Sequence, residues 1–137
     1  MPLIERDEDL RRILQAARVI AVVGHSPDPT RTSYRIAAYL RRVGYRVIAV
    51  NPTVDEIDGE PCYPSLADVP EHVDIVDVFR RAEHLAGVVQ EAAAVGAGLV
   101  WGQLGVASPA AVTVAEAAGI PLVMNRCIKI EHRRLLG

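Results

Sequence analysis

The stretch Gly24-His25-Ser26-Pro27-Asp28-Pro29-Thr30-Arg31-Thr32-Ser33 leads straight into a helical pattern. A helix start offers backbone N–H groups and the positive end of a dipole to an anion. This turn, which opens at Gly24, therefore suits a diphosphate, held by the loop's remaining amides, the hydroxyls of Ser26, Thr30, Thr32 and Ser33, and the Arg31 guanidinium. It is not the glycine-rich dinucleotide fingerprint. Only one Gly is present, and Pro27 and Pro29 have no N–H to donate while stiffening the loop. The competing reading is a rigid strand-to-helix turn with no ligand.

Asn51-Pro52 stands where an NAD-binding chain carries an acid for the ribose hydroxyls. A neutral residue there removes a repulsion against a phosphorylated ribose, unless Asn-Pro merely turns the chain. Phe79-Arg80-Arg81 sets an aromatic face beside fixed charges, suited to an adenine or an aliphatic arm and to phosphate. The alternative is a core Phe79 with solvated arginines. Trp101-Gly102-Gln103-Leu104-Gly105 places an amide between glycines that let a ligand approach, and Trp101 reads as core. His25 is a candidate general base and Cys127 a candidate nucleophile. A lone cysteine is more often a small buried hydrophobe, and His72, His84 and His132 lack metal-ligand spacing. No Ser/His/Asp order, paired carboxylates or phosphate-loop Lys occurs, so no catalytic residue is assigned.

These groups need elements to hold them. The apolar residues include 19 Ala, 19 Val, 11 Leu and 10 Ile against one Phe and one Trp, a mix that favours buried parallel strands under Ala-faced helices. Apolar spacing predicts helices over 7–17 (with Asp7 capping the first turn), 32–43, 85–92, 109–118 and 128–136, and strands over 19–23, 46–50, 73–79, 99–101 and 121–124. Residues 53–72, punctuated by prolines, read as an irregular connection. The result is a single-domain α/β fold over 1–137, a doubly wound five-stranded parallel sheet with helices on both faces. Ligands of such sheets sit beyond the carboxyl ends of the strands, where residues 24–31, Asn51-Pro52, Phe79-Arg80, residues 102–105 and residues 125–127 fall.

Fifteen basic residues against seventeen acidic leave no general field for nucleic acid. No leader-like or 18-residue apolar run occurs, so a soluble, cytoplasmic protein without a membrane partner is expected.

Taken in order, Ala21-Val22-Val23-Gly24, Pro29-Thr30-Arg31-Thr32-Ser33-Tyr34, Gly44 to Pro52, Val73 to Arg80, Val100 to Gly105, and Arg126-Cys127 with Glu131-His132 form a set of strings at predicted strand ends. The chain closely resembles small stand-alone CoA-binding proteins related to the amino-terminal domain of the succinyl-CoA synthetase α subunit. That resemblance implies a Rossmann-like fold binding coenzyme A or an acyl-CoA. Ser26, Thr30 and Arg31 would face phosphates, Asn51 and Pro52 the adenosine, and Phe79, Arg80 and Gln103 the arm or its phosphates. Two positions depart from the family pattern: His25, often Ala or Ser, could crowd or replace a phosphate contact, and Asn125 stands where an Asp is usual. The larger synthetase keeps its phosphohistidine in a further domain, and the resemblance implies no counterpart of that domain within these 137 residues. The expectation is non-covalent binding without a complete catalytic apparatus. Two rivals remain: a thiol or thioester enzyme using Cys127 or His25, and a regulatory or subunit-like interaction module with another nucleotide or a vestigial pocket; a homo-oligomer or a partner subunit is left open as an assembly.

Overall fold

The computed structural model describes residues 2–137. Its elements are α1 (Asp7–Ala16), β1 (Val19–Val23), α2 (Thr32–Arg42), β2 (Arg46–Val50), β3 (Glu56–Ile57), β4 (Glu60–Tyr63) and β5 (Ile75–Val78), followed by α3 (Leu85–Ala94), β6 (Leu99–Gly102), α4 (Pro109–Ala118), β7 (Leu122–Val123) and α5 (Ile128–Leu135). The strands form one sheet in the order β3-β4-β2-β1-β5-β6-β7. Every pairing is parallel except β3 with β4.

The doubly wound α/β architecture stands, but the sheet has seven strands rather than five. The two extra strands lie inside the segment read as irregular. Asp58 (φ 52°) and Gly59 (φ 82°) form a tight hairpin turn between Ile57 and Glu60, the Asp-Gly pattern that left-handed two-residue hairpins favour. The returning strand then adds alongside β2, with Ala49 opposite Cys62 and Val50 opposite Tyr63. The prolines at 61 and 64 hid this, because no β-branched run marks the strand.

Alternation along the strands sends side chains to two apolar layers. Val76, Val78 and Val100 pack with Leu85, Val88 and Ala115 of α3 and α4. Ile20, Val22, Ile75 and Trp101 pack with α1, α2 and α5 through Leu14, Leu40 and Ile128. Helix ends follow local chemistry. The Ser108 hydroxyl accepts from the Ala111 N–H at 3.2 Å, and α4 ends at Gly119 in the left-handed conformation. The expected Asp7 cap is not formed. Arg6 is the N-cap without a side-chain bond, and the Asp7 carboxylate instead takes both Arg134 nitrogens at 2.7 and 2.8 Å, tying α1 to α5.

Strand order reverses between β2 and β5 on either side of central β1, which places the crevice of the fold where β1 gives way to α2.

Candidate functional site

Gly24 ends β1 with φ 88°, and a Cβ added there would lie 2.6 Å from the Phe79 carbonyl oxygen. Only glycine lets the chain leave β1 this close to the end of β5. The Gly24 N–H donates to the Val50 carbonyl at 2.9 Å, so the ends of β1, β2 and β5 meet at one point. Around it lies a cleft of about 350 Å³, walled by Gly24, Asn51, Pro52, Phe79 and Arg80 together with Arg81. Half of the ten residues expected to bind ligand therefore converge on one cavity.

The cleft also has walls that sequence reasoning missed. Pro64 and Ser65 follow β4, the unrecognised strand, and Glu91 projects from α3 beside Val88. The Asp-Gly turn was the available signal for the first pair. Glu91 lies one turn from the apolar stripe and carried no mark of its own.

His25 is wholly buried. Its Nδ1 lies 2.9 Å from the Ser26 carbonyl oxygen, its Nε2 lies 3.4 Å from Arg41 Nη1, and the Tyr34 ring meets it edge-on. Burial holds its pKa below the ordinary value, so the neutral ring donates from Nδ1 to the carbonyl. The side chain is thus turned under the loop as a strut. The Asn51 amide reinforces it, donating to the His25 carbonyl at 3.0 Å while its oxygen accepts from the Thr53 N–H and hydroxyl. Asn51 is fully engaged in joining the end of β2 to the loop.

The loop above is folded on itself. The Ser26 N–H donates to the Ser33 hydroxyl at 3.0 Å, the Ser26 hydroxyl accepts from the Asp28 N–H, and Asp28 accepts from both the N–H and hydroxyl of Thr30. These Thr30 bonds hold the Asp28 carboxyl below its usual pKa. An ionised acid in a turn expected to grip phosphate weakens Thr30 as an anion contact. What remains for an anion is the first turn of α2, which no side chain caps, and Arg31. Neither Arg31 nor Arg80 makes an ion pair among the described residues.

Gln103 is buried, and its side-chain oxygen accepts the Ile128 N–H at 2.9 Å. It belongs to a clamp that seats α5: the Trp101 indole donates to the Arg126 carbonyl at 2.8 Å, and the Arg126 N–H to the Gly102 carbonyl at 3.2 Å. Asn125 completes the clamp. Its φ is 57° and its side-chain oxygen accepts the Gly105 N–H at 2.8 Å, a left-handed conformation that Asn tolerates well. Cys127 sits buried at the N-cap of α5. Glu131 is buried too: burial raises its pKa, but the Arg134 and Arg126 guanidiniums, at 2.7 and 2.6 Å, overcome this and lower it. The geometry therefore divides the expected set. Gly24, Pro52, Phe79 and Arg80 present surface to the cleft, Ser26, Thr30 and Arg31 lie in the loop beside it, and His25, Asn51 and Gln103 brace the backbone. No group of three metal-ligating side chains occurs among the described residues.

Comparison with known proteins gives one answer. A family model described as "CoA binding domain" matches residues 18–133. The uncharacterized protein YneT of Bacillus subtilis (strain 168) is 39% identical over 124 residues, covering 90% of this chain and 92% of that protein. A solved structure, a hypothetical protein from Pyrococcus horikoshii OT3, superposes with a TM-score of 0.93 at 41% identity, covering 97% of this chain and 94% of its own. Acetate--CoA ligase [ADP-forming] I of Archaeoglobus fulgidus is 39% identical over 74 residues, only 11% of its length. The chain thus corresponds to a small part of that ligase and to nearly all of YneT. The converging strand ends, the Gly24 turn and these matches place the chain in the CoA-binding domain family.

Proposed function

We propose that this protein binds coenzyme A, free or acylated, without a covalent bond, across the carboxyl ends of β1, β2 and β5. The observation that carries this reading is the cleft around Gly24, where a side-chain-free backbone lies between Pro52, the half-buried Phe79 ring and the unpaired Arg80. These groups fit the ligand's chemistry. Phe79 and Pro52 offer apolar faces to an adenine or the pantetheine arm, and Arg80, Arg31 and the uncapped start of α2 offer charge and N–H donors to phosphates. Asn51 places no carboxylate beside the ribose, which suits a phosphorylated ribose better than NAD. His25 and Gln103 support the site from beneath. The chain by itself completes no reaction on the thioester in this reading. The ligand brings the thiol, and the protein holds its nucleotide end.

A melting series with CoA, acetyl-CoA, dephospho-CoA and NAD tests the proposal. Ligand at about 100 times its dissociation constant adds roughly 2.7 kcal/mol, which for a domain of this size raises the melting temperature by about 10 °C. CoA and acetyl-CoA are expected to give this shift and NAD none. A shift with NAD and none with CoA overturns the reading. Release of free thiol from acetyl-CoA at a rate proportional to protein overturns the absence of chemistry.

A further inference from the structure

The ligand cleft occupies the carboxyl ends of β1, β2 and β5. At the other end of the sheet, where α1 leads into β1 and α2 into β2, lies a second cavity of about 500 Å³. One strand length, about 17 Å, separates the two. A volume of this order accommodates a small molecule. The apolar walls are Leu14, Ala17, Val43 and Leu136, of which Val43 is 40% exposed. Arg18, Arg46, Tyr45 and His132 supply polar walls beside Gln15, and among the described residues no acidic side chain lines the cavity.

Hydrogen bonding decides which of these groups are free. Arg46 is taken, its guanidinium forked onto the Glu71 carboxylate at 2.6 and 2.7 Å. The Tyr45 hydroxyl donates to the Leu14 carbonyl. Arg18 is the opposite case. Its backbone is fixed, the N–H donating to Asp74 Oδ2 and the carbonyl accepting from the Arg46 N–H, both at 2.9 Å. Its exposed guanidinium makes no ion pair among the described residues. His132 is half-buried, and its Nδ1 lies 2.7 Å from the Tyr39 hydroxyl. Burial holds its pKa below the ordinary value, so the ring is neutral. The phenol, the stronger acid of the two, donates to Nδ1 and leaves the ring proton on Nε2. Among the described residues only Asp77 has buried side-chain polar atoms without a partner. The Nε2–H, which has no protein acceptor, is therefore open to solvent, and the space that His132 lines is this cavity.

We infer that the cavity binds a small monocarboxylic acid with a compact apolar body, at a site separate from the CoA cleft. The charge balance selects that class. Glu71 cancels Arg46 and His132 is neutral, which leaves the single positive charge of Arg18. One carboxylate balances it, whereas a phosphate dianion or a diphosphate would bring charge that nothing here compensates. The Arg18 fork suits a carboxylate geometrically, the His132 Nε2–H adds a second donor, and the four apolar walls cover the hydrocarbon part of the acid. The Glu131-His132 pair thus divides its work: Glu131 fastens Arg126 and Arg134, and His132 serves the cavity. This inference does not rest on the CoA reading.

Amide-resolved NMR titration of the full chain tests it, with sodium benzoate, benzyl alcohol and inorganic phosphate as probes. Benzoate is expected to shift the Arg18, Gly44, Tyr45 and His132 amides to saturation and to leave those of Gly24 and Arg80 in place. Benzyl alcohol has the ring without the charge and phosphate the charge without the ring, so each binds at least about tenfold more weakly. Arg18→Gln weakens benzoate binding at least about tenfold. Arg35→Gln, which removes an exposed cation outside the cavity, leaves it unchanged. A spectrum of Arg18→Gln that matches wild type away from the cavity shows that the fold is intact. Four results would each overturn the proposal: no saturable shift at the cavity amides, benzyl alcohol or phosphate binding as tightly as benzoate, Arg18→Gln binding like wild type, or shifts at Gly24 and Arg80 instead, which would put the acid in the CoA cleft.

Discussion

Asp77 lies in the middle of β5, opposite Val22 on one side and Trp101 on the other. It is completely buried, and neither carboxyl oxygen has a hydrogen-bond partner. Burial alone raises its pKa well above the ordinary carboxyl value, so the folded protein carries it as the neutral acid. The unfolded chain ionises it near pH 3.9. Between that point and the folded-state value, the native protein holds one proton more than the unfolded chain, so stability falls as pH rises, by about 1.4 kcal/mol per unit. The contribution is fully present below about pH 4 and is lost as the pH rises through the folded-state value. Asp77→Asn keeps the shape and removes the titration. Urea unfolding of both proteins from pH 4 to pH 7 should give similar stabilities at the acid end and a growing advantage for the variant towards neutrality. Asp77→Val, which also removes the unpaired polar atoms, is expected to be at least as stable as Asp77→Asn. Parallel pH profiles for wild type and Asp77→Asn, or an Asn variant less stable at pH 7, would refute the argument by showing that the carboxyl is solvated or paired.

Gly24→Ala forces a Cβ to 2.6 Å from the Phe79 carbonyl at φ 88°. It should lower stability by at least about 2 kcal/mol and, in the folded fraction measured by calorimetry, abolish CoA binding. Arg80→Ala and Arg31→Ala remove exposed, unpaired cations, so each should leave the denaturation midpoint unchanged while weakening CoA binding about 10- to 100-fold by titration calorimetry. His25 is held neutral by burial, so its support is complete above about pH 6.5 and is lost as the pH falls below it. His25→Gln should flatten the stability profile between pH 6.5 and pH 5 in the same urea series. Glu131, whose pKa is lowered despite burial because two arginines hold it, contributes stability above about pH 4.3 that is lost on acidification. Glu131→Gln should melt lower than wild type at pH 7 and converge with it near pH 3.

The alternation of β-branched runs with helical stripes was enough to determine the doubly wound α/β class, because each period reflects which face of an element is buried. It also located the cleft, since ligands of such sheets gather where strands end, and Gly24, Pro52, Phe79 and Arg80 could be named from their place after β1, β2 and β5. Local chemistry settled the Ser108 cap and the Gly119 stop. The proline-bearing β4 escaped because it forms by pairing with β2, and two-residue β3 because it forms by pairing with β4, neither being marked by its own composition. Side-chain direction likewise belonged to tertiary structure. His25 and Gln103 look like ligand-facing polar groups in a string of letters. In the folded chain they point inward, the His25 ring pairing with the Ser26 carbonyl and the Gln103 amide oxygen with the Ile128 N–H. Asp77 is one more polar letter in an apolar run, and only the helices closed over it turn that letter into a buried acid.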